Sequence, residues 1–290
     1  EACEEITRLF LKLSSPTRLK KLHFWNNMSG DGGAVAIAKL LKQSPYIEDF
    51  MMATTRCGEG GGVVLCKALK HCTMLHTVDM NDNTFNVSGA KELSLSLLSL
   101  PRLTELNIGD LNFQDEGMAK IFKALGGDHA CPLLERLHIH YNDLTHRPLR
   151  LLGQVLKGKA NFQYLKLTGN EIGNKGTGIL ASVLDGCGAA LKLKELHLQE
   201  CNIHDRGAKH LKQIIAGSPS LAVLNLEDNF IPSQSQGKLL AAAAGAGAKL
   251  IFENNESEEE DYESEADSDA EEAAGDAALV GGTPAISYGN

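Results

Sequence analysis

Few residues of this chain stand in patterns that suggest chemistry of their own. His138 and His140 lie two apart in HIH, a spacing that could hold a metal, with His197 as a further imidazole. The glycine-rich string GEGGGV at 58–63 lacks the Lys-Ser/Thr pair with which a nucleotide loop grips phosphate and magnesium. Seven cysteines, at 3, 57, 66, 72, 131, 187 and 201, are odd in number and form no CxxC. They suggest neither a zinc site nor a disulfide framework, and free thiols in a reducing compartment are expected. No nucleophile stands out beside a base. What remains is Arg56, in MMATTRCGEGG, a guanidinium whose fork of donors is free for a partner.

Arg56 is placed by a repeat. LKKLHFWNN (19–27), IEDFMMATT (47–55), LHTVDMNDN (75–83), LTELNIGDL (103–111), LERLHIHYN (134–142), FQYLKLTGN (162–170), LKELHLQEC (193–201) and LAVLNLEDN (221–229) share the pattern L-x-x-L-x-L-x-x-N. Their starts are 28, 28, 28, 31, 28, 31 and 28 residues apart. This is the strand and first bend of a leucine-rich repeat. Fourteen residues after a start comes Gly33, Gly61, Gly89, Gly117, Gly176 or Gly207, where a helix must begin close against its neighbour. Pro148 and Ser235 take that place in the fifth and eighth copies. Asp31, Ser88, Asp115 and Asp205 are candidate helix caps. Residues 1–16 read as a helix without its strand, and 238–252 as the last helix and its end. The chain begins EACEEITRLF, with neither initiator Met nor signal peptide, and is expected to be a fragment.

Each strand–bend–helix unit has an apolar edge that only stacking can bury. The expected fold class is therefore α/β. It is a leucine-rich-repeat solenoid over residues 1–252, its first repeat incomplete. The form is a ribonuclease-inhibitor-like horseshoe with parallel strands inside and helices outside. Side chains alternate along a strand, so three positions per repeat point into the concave face. One column is Lys21, Asp49, Thr77, Glu105, Arg136, Tyr164, Glu195 and Val223. The middle column is His23, Met51, Asp79, Asn107, His138, Lys166, His197 and Asn225. The third is Trp25, Ala53, Asn81, Gly109, His140, Thr168, Gln199 and Glu227. Such a face, polar and mixed in sign, suggests a protein partner. His138 and His197 fall two strands apart, about 9–10 Å, so a solvated surface is expected there and no metal. Asn27, Asn83, Asn142, Asn170 and Asn229, with Cys201 as the permitted alternative, should bond the backbone of the bends as a ladder. Thr55 and Leu111 break it, and Arg56 follows the first break.

Aromatic residues make up only 5% of the chain, so the core must be aliphatic. No apolar run is long enough to span a membrane. All 28 Lys and Arg, and 24 of the 37 acids, precede residue 253, a balance of +4. Residues 253–276 hold the other 13 acids and no base. Residues 253–290 are therefore expected to be a disordered acidic tail. No basic stripe with interleaved aromatics argues for nucleic acid.

Four segments carry a resemblance: LHFWNNMSGDGGA (22–34), IEDFMMATTRCGEGGGVVLCKAL (47–69), CTMLHTVDMNDNTFNVSGA (72–90) and LTELNIGDLNFQDEGMAKIFKAL (103–125). With the acidic stretch after the last repeat, the chain resembles the Ran GTPase-activating proteins, above all their plant and algal branch. The resemblance implies a monomer that stimulates GTP hydrolysis by the small GTPase Ran in nucleocytoplasmic transport. Its expected place is the cytoplasm, with the nuclear envelope or pore as a second address and a Ran-binding protein as a further partner. It implies no enzyme activity and no cofactor of its own, GTP and magnesium being bound by the GTPase. The family is understood to position the GTPase's own glutamine rather than insert an arginine finger. Arg56 matches the family's arginine after this strand, and Asn142 an asparagine placed near the GTPase active site. Asp79 and Asn81 would face the same partner. Arg56 and Asn142 are expected about 14 Å apart, three strands along, as two contacts on one rim. Cys57, Gly58, Tyr141 and the run His146-Arg147-Pro148 depart from the family pattern. The rival reading is a non-catalytic binding module, as in an immune receptor or a ribonuclease-inhibitor-like protein.

Overall fold

The computed structural model describes residues 2–13 and 16–255. It opens with α1 (Ala2–Leu13), β1 (Lys21–His23), α2 (Gly30–Leu41), β2 (Asp49–Met51), α3 (Glu59–Leu69) and β3 (Thr77–Asp79). Then follow α4 (Asn86–Leu97), β4 (Glu105–Asn107), α5 (Gln114–Leu125), β5 (Arg136–His138), α6 (Leu149–Lys157) and β6 (Tyr164–Lys166). The last are α7 (Gly173–Asp185), β7 (Glu195–His197), α8 (Asp205–Gly217), β8 (Val223–Asn225), α9 (Ser233–Ala246) and β9 (Lys249–Ile251). The strands form one parallel sheet in the order β1 to β9. Register is kept position for position, so that Asp49 pairs with Thr77 and Thr77 with Glu105. Sequential parallel order follows because every strand returns through a helix on the same side. The expected leucine-rich-repeat solenoid is the fold.

Its core is a column of repeat positions. Phe50, Val78, Leu106, Leu137, Leu165, Leu196 and Leu224 are all fully buried between sheet and helices. Phe85 and Phe113 plug the bends from within, also fully buried. The repeat glycine answers to two neighbours. A Cβ on Gly61 would lie 2.8 Å from the Asp31 Cα of the preceding helix. One on Gly89 would lie 2.6 Å from the Phe85 Cβ, four residues earlier in its own repeat. Packing between helices is thus only part of the reason for glycine.

The candidate caps serve the following repeat instead of their own helices. Asp31 Oδ1 accepts the Gly58 N–H at 2.6 Å, immediately before α3. Asp115 accepts the Thr145 N–H at 2.8 Å and the Thr145 hydroxyl at 2.6 Å. Asp205 accepts the Ser235 hydroxyl. At the α7 position Asn174 does the same, accepting from His204 N–H at 3.0 Å and Gly207 N–H at 2.8 Å. Ser88 also departs from the expectation, since with Asn86 it hydrogen-bonds Glu59 of the preceding helix and holds that carboxyl below its usual range.

The end of the solenoid also differs. α9 stops at Ala246, and Gly247 takes a left-handed turn (φ 75°). GAKLIFENN (247–255) is then a ninth copy of the pattern, with glycine in the first leucine's place. Its strand pairs Lys249 with Val223. Asn255 donates to the Leu226 carbonyl at 2.8 Å, so the ladder runs three residues past 252. Residues 256–290, most of the expected acidic tail, lie outside the described residues. Among the described residues no helix is long and apolar enough to cross a membrane. All seven cysteines are free thiols.

Candidate functional site

Each repeat passes from strand to helix through a left-handed residue, among them Thr54 (φ 55°), Asp82 (φ 54°), Asp110 (φ 50°) and Tyr141 (φ 50°). Non-glycine residues hold this costly conformation only where the surroundings enforce it. The ladder asparagine enforces it. Asn83 Oδ1 accepts the Thr55 and Cys57 N–H groups at 3.2 and 2.9 Å. Its amide nitrogen donates to the carbonyls of Met52 and Met80, each at 2.9 Å.

Arg56 lies between those two pinned N–H groups. Its own φ is 55°. Its side chain is exposed on the rim, and among the described residues it makes no hydrogen bond or ion pair. A fixed backbone thus carries an uncommitted guanidinium, an arrangement that lowers the ordering cost of gripping a carboxylate or phosphate. Beneath it the Cys57 thiol is pushed up to about 12 by burial and by Asp31, so it is no nucleophile at neutral pH.

Asn142 takes the ladder role that the repeat pattern predicts. It is 0% exposed. Its Oδ1 accepts Leu111 and Phe113 N–H, and its Nδ2 donates to the Ile108, Ile139 and His140 carbonyls. Every polar atom of the side chain is spent inside the fold, on the bend that begins at Leu111 and on the carbonyls beside it. Its side chain is taken up by the ladder, whereas the Arg56 side chain is exposed. A sequence shows an asparagine at a ladder position but not which way its amide is turned.

Asp79 and Asn81 face the concave side, half-buried, and are held together by the Asn81 N–H donated to Asp79 Oδ1 at 3.1 Å. Burial raises the Asp79 carboxyl above its ordinary range, against hydrogen bonds from Asn81 and Asn107. They belong to the repeat that clamps the Arg56 bend. On the first repeat, the one before that of Arg56, Trp25 and Met28 are 60% and 70% exposed. Large apolar side chains open to water are what interface anchors look like, and sequence columns alone did not single them out.

The histidines do not form a metal site. Tyr164 stands between His138 and His197, its ring centroid 4.6 and 5.0 Å from theirs. His138 Nε2 meets Glu105 at 3.1 Å and His197 Nε2 meets Glu195 at 3.3 Å. The Arg136 guanidinium lies 3.9 Å over the Tyr164 ring. The His138 hydrogen bond holds Glu105 below the usual carboxylate range. Burial holds His197 below the usual imidazole range. His140 turns aside into the hollow above Gly109, where burial pushes it down to about 4 and its Nδ1 has no partner. Among the described residues no three His, Cys, Asp or Glu side chains converge on a point. What the concave face offers instead is a ridge across β4 to β7, from Glu105 through Arg136 and Tyr164 to Glu195. Those four are consecutive in the first inner-face column that the repeat pattern gives.

Comparison with known proteins agrees with this geometry. The family model described as Leucine Rich repeat matches residues 71–94, 158–177 and 190–212. A ribonuclease inhibitor of Mus musculus is 34% identical over 133 residues, 46% of this chain and 28% of that protein. A ribonuclease inhibitor of Sus scrofa is 27% identical over 176 residues, 61% of this chain and 38% of that protein. NACHT, LRR and PYD domains-containing protein 13 of Homo sapiens is 28% identical over 160 residues, 55% of this chain and 15% of that protein. The chain thus spans well under half the length of these relatives.

Proposed function

We propose that this leucine-rich-repeat protein, which has ribonuclease-inhibitor-like homologues, binds a protein on its concave face and adjoining rim. We further propose that the partner is the small GTPase Ran in its GTP form. One observation carries the reading: Arg56 is exposed, uncommitted and clamped on both sides by the Asn83 amide. It sits in the segment by which the sequence resembles the Ran GTPase-activating proteins. In this reading Arg56 docks the GTPase or steadies its switch. Asp79 and Asn81 take polar groups from the same surface, and Trp25 and Met28 supply apolar area. GTP and magnesium belong to the GTPase, and the chain contributes positioning and no reacting group. Asn142 acts only through the fold. The proposed place of action is the cytoplasm, with the nuclear envelope or pore as a second address and a Ran-binding protein as a further partner.

Single-turnover hydrolysis of GTP by Ran, with and without the purified chain, tests this. Acceleration is expected, and Arg56→Ala should remove at least about tenfold of it, or ~1.4 kcal/mol of barrier lowering. A folded chain that leaves the rate unchanged refutes the activator.

The relatives favour a second reading, in which the same face only sequesters a partner. Ribonuclease inhibition is then the assay: loss of ribonuclease activity on adding the chain, with no effect on Ran, would select it.

A further inference from the structure

The inner face of the sheet is satisfied in charge except at one point. Across β1 to β8, each ionised side chain that faces inward has a donor or acceptor beside it, save one. Asp49 meets Lys21 at 3.6 Å and His23 at 3.0 Å. Asp79 accepts the Asn81 N–H at 3.1 Å. Glu105 meets Arg136 at 3.5 Å and His138 at 3.1 Å. Glu195 meets His197 at 3.3 Å, and Glu227 accepts from the Asn225 amide at 2.8 Å. Lys166 is the exception, for among the described residues it makes no hydrogen bond or ion pair. It is half-buried on β6, in register between His138 of β5 and His197 of β7. Partial removal of an ammonium from water costs free energy that a carboxylate brought against it would recover.

We infer that Lys166 is the contact on the concave face for a carboxylate of the partner protein, an aspartate or glutamate side chain on its surface. This contact rests on the proposal that a protein occupies that face. The site offers one full positive charge. Burial, reinforced by the charge of Lys166, holds His140 and His197 below the usual imidazole range, so neither adds a charge at neutral pH. Glu105 and Glu195 stand in the adjoining column, on β4 and β7. Both would repel a dianionic phosphate, whereas a carboxylate of charge −1 matches the single ammonium. The base beneath is rigid, because the buried Tyr164 ring is wedged between the imidazoles of His138 and His197. A cation standing on a fixed base costs less to order when a partner arrives. Arg56 lies on the rim beyond β2, four strands from β6, about 19 Å. Both cations therefore fall within one interface of ordinary size.

The test is binding of the full chain to GTP-loaded Ran, with ribonuclease A as the second partner, by biolayer interferometry. Lys166→Arg should bind within about twofold of the parent, and Lys166→Gln at least about tenfold more weakly. Lys166→Glu should be weaker again. A role in the fold alone would not order the variants by charge, and their thermal melts are expected to match that of the parent. Lys166→Glu binding as tightly as the parent overturns the contact and leaves the concave-face reading standing. A folded parent that binds neither protein overturns that reading, and this contact with it. Inorganic phosphate that displaces the partner better than acetate does, at equal ionic strength, overturns the carboxylate as the ligand.

Discussion

Asn83 and Thr55 belong to neighbouring repeats, and Asn83 Oδ1 accepts the Thr55 hydroxyl at 2.8 Å. The ladder asparagine of one repeat serves the bend of the repeat before it. A missing asparagine is therefore felt one repeat upstream of where the sequence shows it. At the first bend Asn27 turns on its own repeat, accepting the Ser29 N–H at 3.0 Å. The bend that carries Arg56 is fully tied, because its asparagine comes from the next repeat.

Arg56 and Asn142 should separate cleanly in experiment. Arg56→Ala is expected to leave stability within about 0.5 kcal/mol while weakening partner engagement. Asn142→Ala leaves two buried N–H groups and a carbonyl without partners, a loss of about 2–4 kcal/mol. Urea unfolding of both variants, read beside the hydrolysis assay, distinguishes the contact from the scaffold. An Asn142→Ala protein as stable as the parent would contradict the buried ladder role.

His140 makes stability fall on the acid side. Its folded imidazole takes a proton near 4, against 6.5 for the ordinary group. Between those values the unfolded chain binds the proton and the folded chain does not, so stability drops as pH falls from 6.5 towards 4. The full effect is bounded at about 3 kcal/mol. Urea midpoints across this window should show the slope, and His140→Phe should flatten it, leaving the smaller part that His197 contributes in the same direction. An undiminished slope in that variant would clear His140.

Gly109 and His140 should be energetically coupled. A Cβ on Gly109 would fall 2.0–2.4 Å from three ring atoms of His140. Gly109→Ala is expected to cost about 1–3 kcal/mol by overpacking. In a His140→Ala background most of that cost should vanish, as a double-mutant cycle can measure. Additive effects would mean that the hollow has other limits.

The thiols should be nearly inert in the folded protein. Burial pushes Cys57, Cys72, Cys131 and Cys201 up to about 12, and Cys66 further in the same direction. Cys187 is the only cysteine that is not buried. Iodoacetamide at neutral pH should label Cys187 first and the rest only on unfolding, as peptide mass mapping would report.

The sequence by itself determined the solenoid. A pattern recurring every 28 or 31 residues admits one way of burying its apolar edge, so strand order and register followed from spacing. The ninth strand escaped because its copy starts 26 residues after the eighth and puts Gly247 where leucine belongs. The rim position of Arg56 was legible, since a polar residue after a strand end must emerge there. Which backbone groups each ladder asparagine meets was not. That depends on whether an amide's donors and acceptors find backbone in the adjacent repeat, as those of Asn142 do. Only the tertiary structure decided it, because a linear pattern does not record what stands opposite what.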